Sequence, residues 1–154
     1  MWTCRRAADM AMFHFGERKQ VRSFGGDPAE VGEYALHVQC PWRIVQTGAT
    51  VVGSRDLHYP ADRSGMETVP ENFNWDRDAN LRDHLLRALF ENGAREFVVQ
   101  GVNLGLAGAC SIEFKDAMYL ELFPDDSSRD EHWRLISTEE NGPELLVVGP
   151  SWPS

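Results

Sequence analysis

Histidine, cysteine, serine and aspartate crowd into one part of this chain. Within 32–60, GEYALHVQCPWRIVQTGATVVGSRDLHYP, lie His37, Cys40, Ser54, Asp56 and His58. Such residues could form a nucleophilic relay, with His37 as general base, Asp56 orienting it and Cys40 or Ser54 attacking, because a relay needs only hydrogen-bond contact in space. The surroundings argue against it: there is no GxSxG elbow, no HExxH and no papain-like cysteine context. In a strand, moreover, His37 and Cys40 point to opposite faces. No residue is thereby marked as catalytic. Asp56 and His58 could share a strand face, but a metal site needs further ligands, and His14, His84, His132 and the cysteines are scattered singly. Gly25-Gly26 and the glycines of 101–108 lack the strand and helix context of a phosphate cradle and read as turns. Neither a metal nor another cofactor is expected.

Two similar tetrads stand out, Trp42-Arg43-Ile44-Val45 and Trp133-Arg134-Leu135-Ile136. In strands each Trp would face the core and each Arg the opposite side, where a guanidinium can fork to a carboxylate. Asp56 and Glu131 are the natural partners if the arginines brace the fold. Otherwise the arginines line a shared recognition face.

The elements that must position these groups are mostly strands. In 110–123, Cys110, Ile112 and Phe114 alternate with polar residues, Asp116 and Ala117 interrupt, and Met118, Leu120 and Leu122 resume, which predicts a hairpin. A strand over 96–104 leads to a turn at 105–108. Two more, 133–137 and 144–148, flank Asn141-Gly142, a dipeptide suited to a tight turn. The C-terminal half is thus an antiparallel meander of about five strands by its turn spacing, and the closing GPSWPS cannot continue it. In the N-terminal half, 42–46 and 49–57 form a hairpin across Thr47-Gly48, and 10–15 is a further strand. Alternation from Tyr34 to Ile44 favours one long strand, although 32–39 could equally be a short helix halted by Pro41.

One segment has a different period. Over 78–92, Leu81, Leu85 and Leu89 recur with Leu86 and Phe90 beside them, while Arg82, Asp83 and Arg87 fall on the other side. This predicts an amphipathic helix led by Asp76 and Asp78 and stopped by Gly93 after Asn92. Before it, 60–75 has no clear period; Phe73 and Trp75 should pack down, with 61–68 as a flap. The fold class is α+β, a mostly antiparallel sheet with one principal helix, in a single domain spanning 1–154. With 42% hydrophobic residues in 154, the chain can bury one core without staples.

Charge narrows the function classes. Residues 1–43 are nearly balanced, whereas 113–144 holds three Lys/Arg against ten Asp/Glu and so carries most of the net charge of −9. No basic stripe suited to phosphate is visible, so a nucleic-acid partner is not expected. The acidic segment is either a solvated surface or an attractor for a basic protein partner. Three widely spaced cysteines without a CxxC pair suit reduced thiols. No apolar run approaches the roughly twenty residues of a membrane helix, and the N-terminus lacks a signal-peptide core, so a cytoplasmic location is expected.

The stretches YALHVQCPWRI, VGSRDLHYP and EHWRLI resemble a family of small uncharacterised bacterial proteins that share LH-x-Q-C-x-WR-[IL], GS-x-D and E-x-WR-L. No activity is attached to that family, so the resemblance implies no mechanism. Position by position it marks Leu36, His37, Gln39, Cys40, Trp42, Arg43, Gly53, Ser54, Asp56, Glu131, Trp133 and Arg134. Its polar members define a candidate binding cluster of His37, Gln39, Arg43, Asp56, Glu131 and Arg134. The leading expectation is a non-catalytic protein-binding module, with an immunity-protein-like role fitting a small, acidic, cofactor-free chain by analogy of type. The alternative is a small-molecule-binding protein or hydrolase using His37 and Asp56 beneath the 61–68 flap.

Overall fold

Period-two patterning becomes antiparallel strand almost throughout the computed structural model, which describes residues 1–22, 25–91, 95, 97–127, 130–139 and 143–149. In chain order these are β1 (Thr3–Ala7), β2 (Met10–Arg22), β3 (Pro28–Val38), β4 (Trp42–Gln46), β5 (Ala49–Gly53), α1 (Leu81–Glu91), β6 (Val99–Leu104), β7 (Cys110–Phe114), β8 (Met118–Leu122), β9 (Trp133–Ser137) and β10 (Glu144–Val148). They form two five-stranded sheets, ordered β1-β2-β3-β9-β10 and β5-β4-β8-β7-β6. The fold is α+β and antiparallel, with one α-helix among the described residues. By internal contacts the chain separates into two compact units, Met1–Cys40 with Pro124–Ser154, and Pro41–Phe123. Each sheet belongs to one unit, so the C-terminal strands do not stay together: β6, β7 and β8 join β4 and β5, whereas β9 and β10 join the N-terminal strands.

In the first unit, β1 and β2 close over a two-residue turn at Ala8 and Asp9. The β2–β3 ladder shifts between Phe15 and Arg18, where Gly16 takes a φ of +73°, a left-handed value that costs glycine least. Across from this bulge, a Cβ on Gly32 would run into the Phe15 backbone. Ala11, Val38, Trp133 and Val148 oppose one another in turn across the sheet, and Phe13 opposes Leu36; all six are buried. Burying a side chain such as Val38 or Leu36 contributes about 1.5–3 kcal/mol.

The second unit starts where the alternation of 34–44 is interrupted. The residues at 32–38 are strand, not helix, but regular structure lapses at Gln39–Pro41, and the chain passes from β3 in one sheet to β4 in the other. A ladder cannot continue through Pro41, which has no N–H to donate. β4 turns into β5 at Thr47 and Gly48, both with positive φ, as a hairpin turn matched to strand twist requires. Trp42, Ile44, Val52, Ile112, Phe114, Leu120 and Leu122 are buried.

α1 begins at Leu81 rather than at 78, with Asn80 as its cap. The Asp83 N–H donates to Asn80 Oδ1 at 2.9 Å, and Asn80 Nδ2 donates to Asp83 Oδ2 at 2.9 Å, a reciprocal cap. Asp78 serves the preceding turn instead, accepting from the Asn74 N–H at 2.8 Å. The buried stripe also differs from the predicted one: Arg82, only 1% exposed, lies with Leu86 and Leu89 inside, while Leu81 and Leu85 are half-buried. Arg82 Nε sits 3.8 Å from Asp83 Oδ1, so the buried guanidinium keeps a carboxylate within reach. The segment 60–75 has no regular structure beyond a bridge of Pro60 to Asn80. Phe73 and Trp75 are half-buried, with Trp75 edge-on to His58 at 6.1 Å. The helix stop at Gly93, the Asn141-Gly142 turn and most of the closing GPSWPS lie outside the described residues.

Candidate functional site

Pairing of β3 with β9 brings two of the sequence motifs together. Val38 opposes Trp133 and His37 opposes Arg134, so alternation puts the two apolar residues on one face of the sheet and the two polar ones on the other. The junction is fixed by backbone: the His132 carbonyl accepts from the Gln39 N–H at 2.8 Å and the Cys40 N–H at 3.1 Å, and the His132 N–H donates to the Val148 carbonyl at 2.9 Å. Gln39 Nε2 then donates to Glu131 Oε1 at 3.4 Å. Arg134 Nε lies 3.5 Å from the same carboxylate oxygen, and Arg134 Nη1 donates to Glu144 Oε1 at 3.1 Å. His37, Gln39, Glu131 and Arg134 therefore form one cluster in the first unit. Glu144 joins it, which the sequence reading missed because its approach depends on the β9–β10 register.

The polar face of the sheet continues past His37. Arg5 opposes Met12, Met12 opposes His37 and His37 opposes Arg134, a row of cross-strand neighbours. On the next row His14, buried, has Nδ1 accepting from the Gly32 N–H at 3.1 Å. That bond requires a neutral ring with its proton on Nε2. Burial, with smaller contributions from Arg5 and His37, pushes the His14 pKa down to about 4. Burial and then the Arg134 charge lower His37 as well. His37 Nδ1 is buried without a hydrogen-bond partner among the described residues. The carboxylates of Glu131 and Glu144 turn to Arg134.

Arg43 and Asp56 belong to the second unit, where each has a local task. Arg43 faces Glu121 directly across the β4–β8 ladder, with Nε donating to Glu121 Oε2 at 2.6 Å, and its guanidinium stacks 5.0 Å from the Phe123 ring centroid. The expected partners of the two arginines were Asp56 and Glu131. Glu131 does pair with Arg134, whereas Arg43 takes Glu121, on a strand far away in sequence. Asp56 Oδ2 accepts from the Gly53 N–H at 2.8 Å, closing the 3-10 turn Ser54–His58. Ser54 Oγ accepts from the Trp42 N–H at 3.2 Å, extending the β4–β5 ladder by one step. The GS-x-D stretch is thus a strand-to-turn clasp, with Leu57 buried beneath it.

Cys40, the other nucleophile candidate, is buried, as is Cys110; burial raises the Cys110 pKa to about 11, which keeps it protonated. Among the described residues no group of three or more His, Cys, Asp or Glu is placed to hold a metal ion. None of their helices is long and apolar enough to cross a membrane. No family model, curated protein or solved structure matches this chain.

Proposed function

We propose that this chain is a non-catalytic, cytoplasmic protein-binding module that meets a basic protein through its acidic segment 113–144, in the manner of a small protein that neutralises a toxin. The observation that carries the reading is the display of that acid. Asp125, Asp126, Asp130, Glu139 and Glu144, all in the first unit, are exposed, and an excess of one charge accelerates encounter with an oppositely charged partner. Of the groups named for a hydrolase, Ser54 and Asp56 accept backbone N–H groups and Cys40 is buried, which favours the binding reading. Membership of the small bacterial family is part of the proposal, supported by distinct tasks for its three motifs. The first and third meet at the β3–β9 junction and the second closes β5.

The test takes the partner captured with the tagged protein and measures association rates against salt. Asp125→Asn/Asp126→Asn/Asp130→Asn should slow association at least about tenfold at low ionic strength and flatten its salt dependence. An unchanged rate and salt slope would overturn the role of the acidic segment.

A further inference from the structure

The β2–β3 hairpin leaves its sheet partway along. β1 pairs with β2 only as far as Thr3 opposite His14, and β9 pairs with β3 only from Tyr34 to Val38. Beyond those points the segments 18–22 and 28–32 pair, among the described residues, with each other alone. A lone two-stranded ribbon is marginal in water, so its stability depends on what fastens it to the sheet.

The fastening is a bulge held by few bonds. Gly16, at a φ of +73°, and Glu17 stand against the single residue Glu33. The Gly32 N–H donates there to a side chain, His14 Nδ1, at 3.1 Å. From the end of β9, Thr138 donates its hydroxyl to the Gly32 carbonyl and its N–H to the Glu33 carbonyl at 3.0 Å, and Lys19 reaches Glu139 at 3.3 Å. The Trp2 ring spans the bulge, 5.8 Å from the His14 ring on one side and 4.6 Å from the Arg18 guanidinium on the other. Trp2 Nε1 is buried with no hydrogen-bond partner among the described residues, a cost that water relieves when the bulge opens.

The His14 bond differs from the others because a proton abolishes it: an imidazolium has no acceptor, and the Gly32 N–H would then face a cation. Around this ring, Arg5 from β1 and His37 from β3 both oppose a charge. Arg134 of β9 stands across from His37, Arg18 of β2 lies over Trp2, and the Glu33 side chain packs beside Gly16.

We propose that His14 is an acid-released latch: its protonation frees the Gly32 N–H and lets the paired segments 18–22 and 28–32 part from the sheet at Gly16 and Gly32. The sheet around Phe13, Leu36, Val38 and Trp133 stays closed. The ring titrates at about 4 when closed and returns to about 6.5 when open, so opening is favoured about thirtyfold at pH 5 over pH 7.5. The inference does not depend on the proposed partner.

Amide hydrogen exchange of the full chain, followed by NMR, tests it. Protection of the Gly32 amide should fall about thirtyfold from pH 7.5 to pH 5, with a weaker urea dependence than that of the Leu36 amide, because a local opening exposes less surface than unfolding does. His14→Gln, which keeps an acceptor for the Gly32 N–H and does not titrate, should hold its protection across that range. If this variant does not fold, His37→Gln decides, because removing the other histidine of the face must leave the fall in place. A wild-type Gly32 protection that ignores pH, a fall that persists in His14→Gln or vanishes in His37→Gln, or one urea dependence shared by Gly32 and Leu36 would each overturn the latch.

Discussion

At the scale of single residues, the polar groups divide into those that hold the backbone and those that meet one another on a sheet surface. Ser54 and Asp56 belong to the first kind, so Ser54→Ala or Asp56→Ala should each cost about 1 kcal/mol of stability, read from urea midpoints, and leave the fold intact. His14 makes a stronger prediction because its pKa is set by burial. Between about pH 6.5 and 4 the unfolded chain takes up a proton at His14 that the folded chain refuses. Stability from this residue is thus complete above the unfolded pKa and is lost as pH falls toward the folded one, by up to about 3 kcal/mol. His37, lowered in the same direction, adds to the loss. His14→Gln, which retains an acceptor for the Gly32 N–H, should show a shallower decline of stability between pH 6.5 and 4.5 than the wild type. Parallel profiles for the two proteins would show that His14 titrates normally in the folded state. The types of these residues and the pairing of Arg134 with Glu131 were visible in the sequence, but the other partners were not: Glu121 reaches Arg43, and Arg134 reaches His37, only through pairings between distant strands.

Elements were more legible where local chemistry decides them. The hairpin of β7 and β8, the β9 and β10 strands and the Thr47-Gly48 turn follow from alternation and from a glycine at a left-handed position. β1 was missed because its turn to β2 is only two residues long and places Ala8, not a glycine, at a positive φ of 53°, with Asp9 as its single usual turn residue. Helix α1 was expected, yet its inward stripe was misplaced, because periodicity treats Arg82 as an outward polar residue while the fold buries it whole beside the Asp83 carboxylate. Two substitutions test the elements. Gly32→Ala should cost more than 2 kcal/mol, since the added Cβ meets the Phe15 backbone and the β2–β3 bulge must shift. Asn80→Ala should cost about 1 kcal/mol by removing the cap of α1. A Gly32→Ala protein as stable as wild type in urea would mean that the bulge is free to relax.

For the whole molecule, antiparallel class and a principal helix could be read from patterning, while the division into two five-stranded sheets could not. Turn spacing suggests one C-terminal meander. The exchange of partners, with β9 and β10 returning to the N-terminal strands, is a long-range choice driven by burial of faces such as Phe13 with Leu36 and Val38 with Trp133. Charge is the property of the whole chain on which the proposed function rests, because the excess of acid falls in 113–144, where Asp125, Asp126 and Asp130 are exposed. Native mass spectrometry of the tagged protein, purified gently from cells that make it, is the most direct test of the binding-module account. It predicts a stoichiometric complex with a basic protein that dissociates as salt is raised. A chain free of any protein partner but carrying a reproducible small-molecule mass, lost on His37→Ala, would contradict it.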